Sequence, residues 1–377
     1  MSKKALPRRI LMTADTVGGV WTYALELARA LGKYDVEVAV ATMGPELSPA
    51  QREEAASVPN VKLFSSKYKL EWMQDSSRDV KAAGEWLLGL EKRLRPEVVH
   101  LNGYAHAALP WRSPKLVVGH SCLLSRWRAC RIGEPPLELD GNKSMVQGGL
   151  RAADRVVAPT RAMLKALNQN YPEAIKNRGV VIPNGVDVDR LSPTMKAKFV
   201  LSAGRLWDEA KNIQSLMGIA WEIPWAVCLA GQKQNVDGGN GTISAKTNCY
   251  PLGNLPRETL RYWYACASIY VLPARYEPFG LTVLEAALSG CALVLGGIES
   301  LKENWAKAAL FVNPADRIAL KETLVELTRN EVYRRRLGQL ARERALQFTS
   351  TRMAKQYLDC YSDMLTGRKS QEVAACA

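Results

Sequence analysis

Short apolar runs alternate with amphipathic stretches along nearly the whole chain. Arg9–Ala14, Val36–Thr42, Val98–Asn102, Leu116–His120, Arg155–Ala158 and Gly179–Ile182 read as strands, with Val61–Ser65 a weaker one. Val20–Leu31 reads as a helix with Tyr23, Leu25, Leu27 and Ala28 near one face, and Ala82–Leu94 as another. A second series has strands at Lys198–Ser202, Trp225–Ala230, Ile269–Leu272, Ala292–Leu295 and Leu310–Val312. Its helices are Leu281–Leu288, Leu320–Leu327 and Val332–Leu346. Short runs that are apolar throughout, with helices between them, imply parallel sheets buried on both faces. Residues 187–197 hold Asp187, Asp189, Arg190, Ser192 and Pro193 without any period, and read as a linker. The pattern predicts an α/β chain of two Rossmann-like, doubly wound domains, residues 1–186 and 198–349, facing a central cleft. Residues 350–366 can form a last helix, and 367–377 read as a frayed tail.

Composition narrows the class. A chain of 377 residues with 47% apolar and 23% charged residues suits two globular domains. No apolar run nears the roughly 18 residues that a membrane span needs. The basic start, Lys3, Lys4, Arg8 and Arg9, leads into an apolar run too short for a signal peptide, so a cytoplasmic protein is expected. The eight cysteines are scattered, with no Cys-x2-Cys pair, and read as reduced thiols. The net charge of +14 is spread over both halves. It suits anionic substrates or an anionic membrane surface. No zinc-ligand spacing and no aromatic RNA-recognition signature accompany it, so nucleic acid is not the expected partner.

The most informative run is Glu277-Pro278-Phe279-Gly280-Leu281-Thr282-Val283-Leu284-Glu285-Ala286. It joins a strand to a helix through a Pro and a Gly. The amides of Gly280, Leu281 and Thr282 open that helix, and an open helix start attracts phosphate. Glu277 stands at its mouth, and Glu285, over two turns on, is placed to reach a diol such as a ribose. Gly18-Gly19 makes a similar strand-to-helix turn, without the Gly-x-Gly-x-x-Gly of a dinucleotide site. Arg205 ends a strand and Lys211 starts the next helix; a guanidinium fork and an ammonium together can neutralise a diphosphate. His100 and His120 close first-domain strands, where ligands bind in such folds; His106 is a weaker candidate. Residues 111–131 carry Trp111, Arg112, Lys115, Arg126, Trp127, Arg128 and Arg131 and no Asp or Glu, a mixture suited to a membrane interface or a phosphorylated acceptor.

Glu277 to Ala286 closely resembles the signature of retaining glycosyltransferases of family four, which have the GT-B fold. Gly18-Gly19-Val20, Ile182-Pro183-Asn184-Gly185-Val186-Asp187, and Gly204-Arg205-Leu206 with Lys211-Asn212 match the same family in the same order. The resemblance runs from about Arg9 to about Phe348. It implies transfer of a hexosyl group from a nucleoside diphosphate-sugar to a hydroxyl of a glycan or glycolipid, with retention and without metal or other cofactor. It implies that Arg205 and Lys211 hold the diphosphate and Glu285 the ribose. Glu277 and His120 would meet the donor sugar, and Gly18 and Gly19 the donor phosphate and acceptor. The donor site would also include Phe279, Gly280, Leu281 and Thr282. Arg126, Trp127, Arg128 and Arg131 would serve the acceptor, or a membrane at its inner face. The helix from 350 would cross back to the first domain. The Gly- and Asn-rich stretch Gly231–Gly253 departs from the family's compact form near the expected base pocket. The rival readings are an epimerase or phosphorylase on the same fold, and a non-catalytic binder of sugar nucleotides or nucleic acid.

Overall fold

A computed structural model describes residues 6–136, 139–232 and 248–375. It divides into two compact units. One takes the chain up to Ser125, Gly133–Gly185 and the segment from Ser350; the other takes Arg126–Ile132 and Val186–Thr349.

The first unit is a seven-stranded parallel sheet. Its strands are β1 (Arg9–Asp15), β2 (Glu37–Met43), β3 (Val61–Ser65), β4 (Val98–Leu101), β5 (Lys115–Val118), β6 (Arg155–Ala158) and β7 (Gly179–Val181). Their spatial order is β3-β2-β1-β4-β5-β6-β7. β1 is buried over Ile10–Ala14 because neighbours pair on both edges and side chains cover both faces. The helices read in chain order α1 (Gly19–Gly32), α2 (Pro49–Ala56), α3 (Ser77–Leu94), α4 (Leu123–Cys130), α5 (Leu139–Ala152) and α6 (Arg161–Asn170). α1 buries Trp21, Leu25 and Ala28, one face at helical spacing.

The second unit holds β8 (Ala197–Ala203), β9 (Ala226–Ala230), β10 (Cys249–Gly253), β11 (Ala267–Leu272), β12 (Ala292–Gly296) and β13 (Leu310–Val312), ordered β10-β9-β8-β11-β12-β13 and parallel. Its helices are α7 (Ile213–Ile219), α8 (Arg257–Cys266), α9 (Leu281–Leu288), α10 (Glu299–Trp305), α11 (Arg317–Arg329) and α12 (Glu331–Ala345). Every residue of β11 and β12 is buried, which is why these segments carry no polar alternation. Counted within each unit, both sheets begin in the nucleotide-binding order 3-2-1-4-5-6. The order reverses between β1 and β4 in the first unit and between β8 and β11 in the second. The carboxyl ends of those strands are therefore where a ligand is expected.

α13 (Ser350–Ala375) belongs with the first unit, where Tyr357 and Tyr361 are fully buried beside Tyr23 and His100. The helix runs on through the residues read as a frayed tail, as far as Ala375. Segment Arg126–Ile132 was read with the first domain, yet its contacts group it with the second unit, where Asp208 and Glu209 pair with its arginines.

Candidate active site

The carboxyl ends of β8 and β11 carry the densest group of predicted residues. Arg205 stands two residues beyond β8. Its Nη2 and Nε donate to one oxygen of Asp208, at 2.8 and 3.2 Å, and its guanidinium lies 5.6 Å from the Trp207 ring centroid. The other Asp208 oxygen accepts from Arg126 Nη2 at 2.8 Å and from the Ala210 amide at 3.0 Å. Burial works to raise the Asp208 pKa, but Arg205, Arg126 and Lys211 outweigh it and hold the carboxyl below its usual value. Asp208 thus ties two arginines to one buried anion, with Lys211 acting on it electrostatically. Sequence reasoning missed it.

Lys211 ends the short 3-10 turn Glu209–Lys211, and its Nζ pairs with Glu277 Oε2. Both side chains are largely buried. Glu277 also accepts from the Phe279 amide at 3.3 Å, and its carbonyl accepts from Ser300 Oγ at 2.5 Å. Gly280 then turns the chain with φ +90, a conformation that a side chain disfavours, and α9 begins with no side-chain cap. Thr282 shares a 2.8 Å hydrogen bond with the buried phenol of Tyr270. Glu277 and Glu285 both bear electrostatically on that phenol, which burial above all keeps protonated. Glu285 is buried on α9, with Arg257 Nη2 at 3.7 Å from its carboxylate. The Phe279 side chain points into the core against Phe348. Residues 60 to 80 apart in sequence thereby meet in one place, because β8 and β11 are neighbours.

The first unit places Gly18 and Gly19 at the carboxyl end of β1. Gly18 has φ +79, both glycines are exposed, and no side chain caps α1. His120 follows β5, and its Nε2 lies 2.8 Å from Asn102 Oδ1. Burial pushes its pKa down to about 3, so the ring is neutral. His100 is fully buried between Tyr361 and Asn102, and His106 meets the Val80 carbonyl at 3.1 Å; both belong to the interior.

Two arginines of the basic segment find acidic partners. Arg126 pairs with Asp208 at 2.8 Å and Arg131 with Glu209 at 2.9 Å, while Arg131 lies over the Trp127 ring. Arg128 is exposed on α4. Most of the stretch suspected of shaping the base pocket, residues 233–247, falls outside the described residues. Among the described residues no three His, Cys, Asp or Glu are grouped to hold a metal ion, and no helix is long and apolar enough to cross a membrane. The seven described cysteines are free thiols; Cys376 lies outside the described residues.

Comparison with known proteins agrees with this construction. The profile of Glycosyltransferase Family 4 matches residues 17–190, and that of Glycosyl transferases group 1 matches residues 187–344. The chain is 28% identical to mannosylfructose-phosphate synthase of Agrobacterium fabrum, over 92% of this chain and 87% of that protein. It is 24% identical to D-inositol 3-phosphate glycosyltransferase of Corynebacterium efficiens, over 93% and 91%. Among solved structures it resembles sucrose-phosphate synthase of Thermosynechococcus elongatus, with a TM-score of 0.78 at 17% identity, covering 98% of this chain and 100% of that one. Anabaena HepE, solved with UDP and glucose, gives a TM-score of 0.73 at 15% identity, over 94% and 99%. The two profiles together span residues 17–344, and with the strand order and the relatives' names they make this chain a glycosyltransferase of family four, with the GT-B fold.

Proposed function

We propose that the enzyme moves a hexosyl group from a nucleoside diphosphate-sugar to a hydroxyl of a glycan or glycolipid, with retention of configuration and without a metal ion. The observation that carries the reading is the cluster at the carboxyl ends of β8 and β11: Arg205 and Lys211, the carboxylates of Glu277 and Glu285, and an uncapped helix start. Each answers one need of the reaction. The departing diphosphate gathers negative charge, which Arg205, Lys211 and the α9 amides would stabilise in place of a metal. Glu285 would accept from the ribose hydroxyls. Glu277, fixed by Lys211, would orient the donor sugar and stabilise positive charge developing at its anomeric carbon. His120, Gly18 and Gly19 would meet the donor sugar, its phosphate and the acceptor. In the front-face route, the bond from the anomeric carbon to the phosphate oxygen breaks and that to the acceptor oxygen forms on the same face. The acceptor proton passes to the leaving phosphate.

The net charge of +14 suits an acceptor that bears phosphate. Two relatives have names that carry a phosphorylated sugar and a phosphorylated polyol. A role in surface polysaccharide or glycolipid assembly, by a cytoplasmic protein that touches the inner face of a membrane, fits the same charge. The test is a transfer assay with UDP-, GDP- and ADP-hexoses in the presence of a chelator, with the anomeric configuration of the product read by proton NMR. Retained product under chelation is expected. Inverted product, or turnover only with added metal, would overturn the reading. Donor conversion without acceptor would point to an epimerase, and dependence on free phosphate to a phosphorylase.

A further inference from the structure

We infer that Asn102 is a positioning residue: it holds the His120 imidazole as its Nε2–H tautomer, so that the ring offers a ligand an acceptor at Nδ1 and no donor. The assignment follows from counting protons. Asn102 stands just beyond β4, and its backbone amide donates to Thr13 Oγ1 at 2.9 Å. Its Nδ2 donates to the Thr13 carbonyl at 2.6 Å. A carbonyl oxygen only accepts, so the side-chain amide cannot be turned the other way. Its Oδ1, which also only accepts, therefore faces His120 Nε2 at 2.8 Å, and that nitrogen must carry the hydrogen. The ring is neutral, so it has a single N–H, and Nδ1 keeps a lone pair. Among the described residues no other side-chain hydrogen bond to His120 is made, and the Tyr23 ring packs edge-on against it with centroids 4.5 Å apart. The same oxygen lies 3.3 Å from His100 Nε2, and His100 Nδ1 lies 2.6 Å from the Tyr361 hydroxyl. A polar chain thus runs from Tyr361 on α13 through His100 and Asn102 to His120.

The consequence for function rests on His120 meeting the donor sugar, as proposed above; the tautomer does not. An acceptor-only Nδ1 selects a sugar hydroxyl that donates. A donor whose hydroxyl at the contacted position is replaced by hydrogen or fluorine should lose affinity, on the order of tenfold for one hydrogen bond.

With three histidines in the chain, the imidazole nitrogens can be resolved by labelling histidine with nitrogen-15 and recording long-range proton–nitrogen spectra. In the wild type, His120 should show a protonated-type Nε2 and an unprotonated-type Nδ1. Asn102→Leu, which removes the acceptor, should mix the tautomers and lower kcat/KM about tenfold. Asn102→Asp, which restores an oxygen, should recover Nε2–H. His106, whose Nε2 donates to the Val80 carbonyl, should not change and reports that the fold is intact. His120 found as Nδ1–H in the wild type would overturn the inference, even if the Leu variant failed to fold. So would an unaltered His120 in a folded Leu variant. If Nε2–H is found but His120→Gln turns over normally, the role of His120 in the donor site fails while the tautomer assignment stands.

Discussion

Asp208→Asn separates the site's organisation from its mere composition. The wild-type carboxylate accepts four hydrogen bonds, two from Arg205 and one each from Arg126 and the Ala210 amide. The amide keeps one oxygen. If that oxygen stays with Arg126 and Ala210, an N–H group faces the Arg205 fork, and donor meets donor. A hydrogen bond to a charged group contributes about 1.5–3 kcal/mol. Arg205 is 37% exposed, so water screens and replaces part of that; about 1–2 kcal/mol is expected. In a domain of this size, that lowers Tm by about 2–8 °C. The larger effect is on catalysis. An Arg205 that has lost its fork partner no longer holds the diphosphate in one orientation, and kcat/KM should fall on the order of tenfold to a hundredfold. The pH dependence has a definite sign. The folded pKa of Asp208 lies below its ordinary value, so the pairing contributes in full above the ordinary range and is lost as pH falls through the folded value. The gap in Tm between wild type and variant should persist at neutral pH and narrow only below about pH 4. Thermal unfolding across pH, with donor turnover at pH 7, measures both. Equal Tm and equal kcat/KM at pH 7 would refute the reasoning.

Other perturbations reach the same cluster. Arg205→Ala should cut kcat about a hundredfold to a thousandfold with unchanged circular dichroism; normal turnover would remove the phosphate clamp. Glu285→Ala should mainly weaken nucleotide affinity, by about tenfold, seen in calorimetric titration; a loss confined to turnover would contradict the ribose role. Gly280→Ala puts a Cβ 3.0 Å from Val283 Cγ2 at φ +90, so it should cost about 1–2 kcal/mol in denaturant unfolding and impair nucleotide binding through the start of α9.

Much of the fold was legible because burial on both faces leaves an unmistakable apolar run. β3 was read with its observed ends, and β1, β8, β9 and β12 to within a residue or two. β10 was missed: it lies at a sheet edge, carries Pro251 and is only partly buried, so the apolar signal is weak. α2 was missed because its outward residues are polar, although the capping box of Ser48 and Gln51, with Pro49 at the first helical position, announces it. In the site, the motifs located Arg205, Lys211, Glu277 and Glu285. They did not disclose Asp208 or Asn102, whose importance lies in partners brought near by folding. Arg126 and Asp208 are 82 residues apart, and no period links them. Asn102 sits where adjacent strands β4 and β5 end, a juxtaposition that the strand order alone supplies. The run from 111 to 131 holds no Asp or Glu of its own, and the acidic partners of its Arg126 and Arg131, Asp208 and Glu209, come from the other series.

The claim on which the rest depends is that Arg205 and Lys211 bind the diphosphate of a sugar nucleotide. Thermal stabilisation of wild type and Arg205→Ala by UDP, GDP, ADP and their hexoses, all under a chelator, tests it most directly. Binding to the folded state raises the apparent stability by about 2.7 kcal/mol when ligand is at a hundred times its Kd. One base and its sugar should raise the Tm of the wild type and leave that of Arg205→Ala nearly unmoved. Equal stabilisation of both proteins, or none of the wild type by any nucleotide, would contradict the claim.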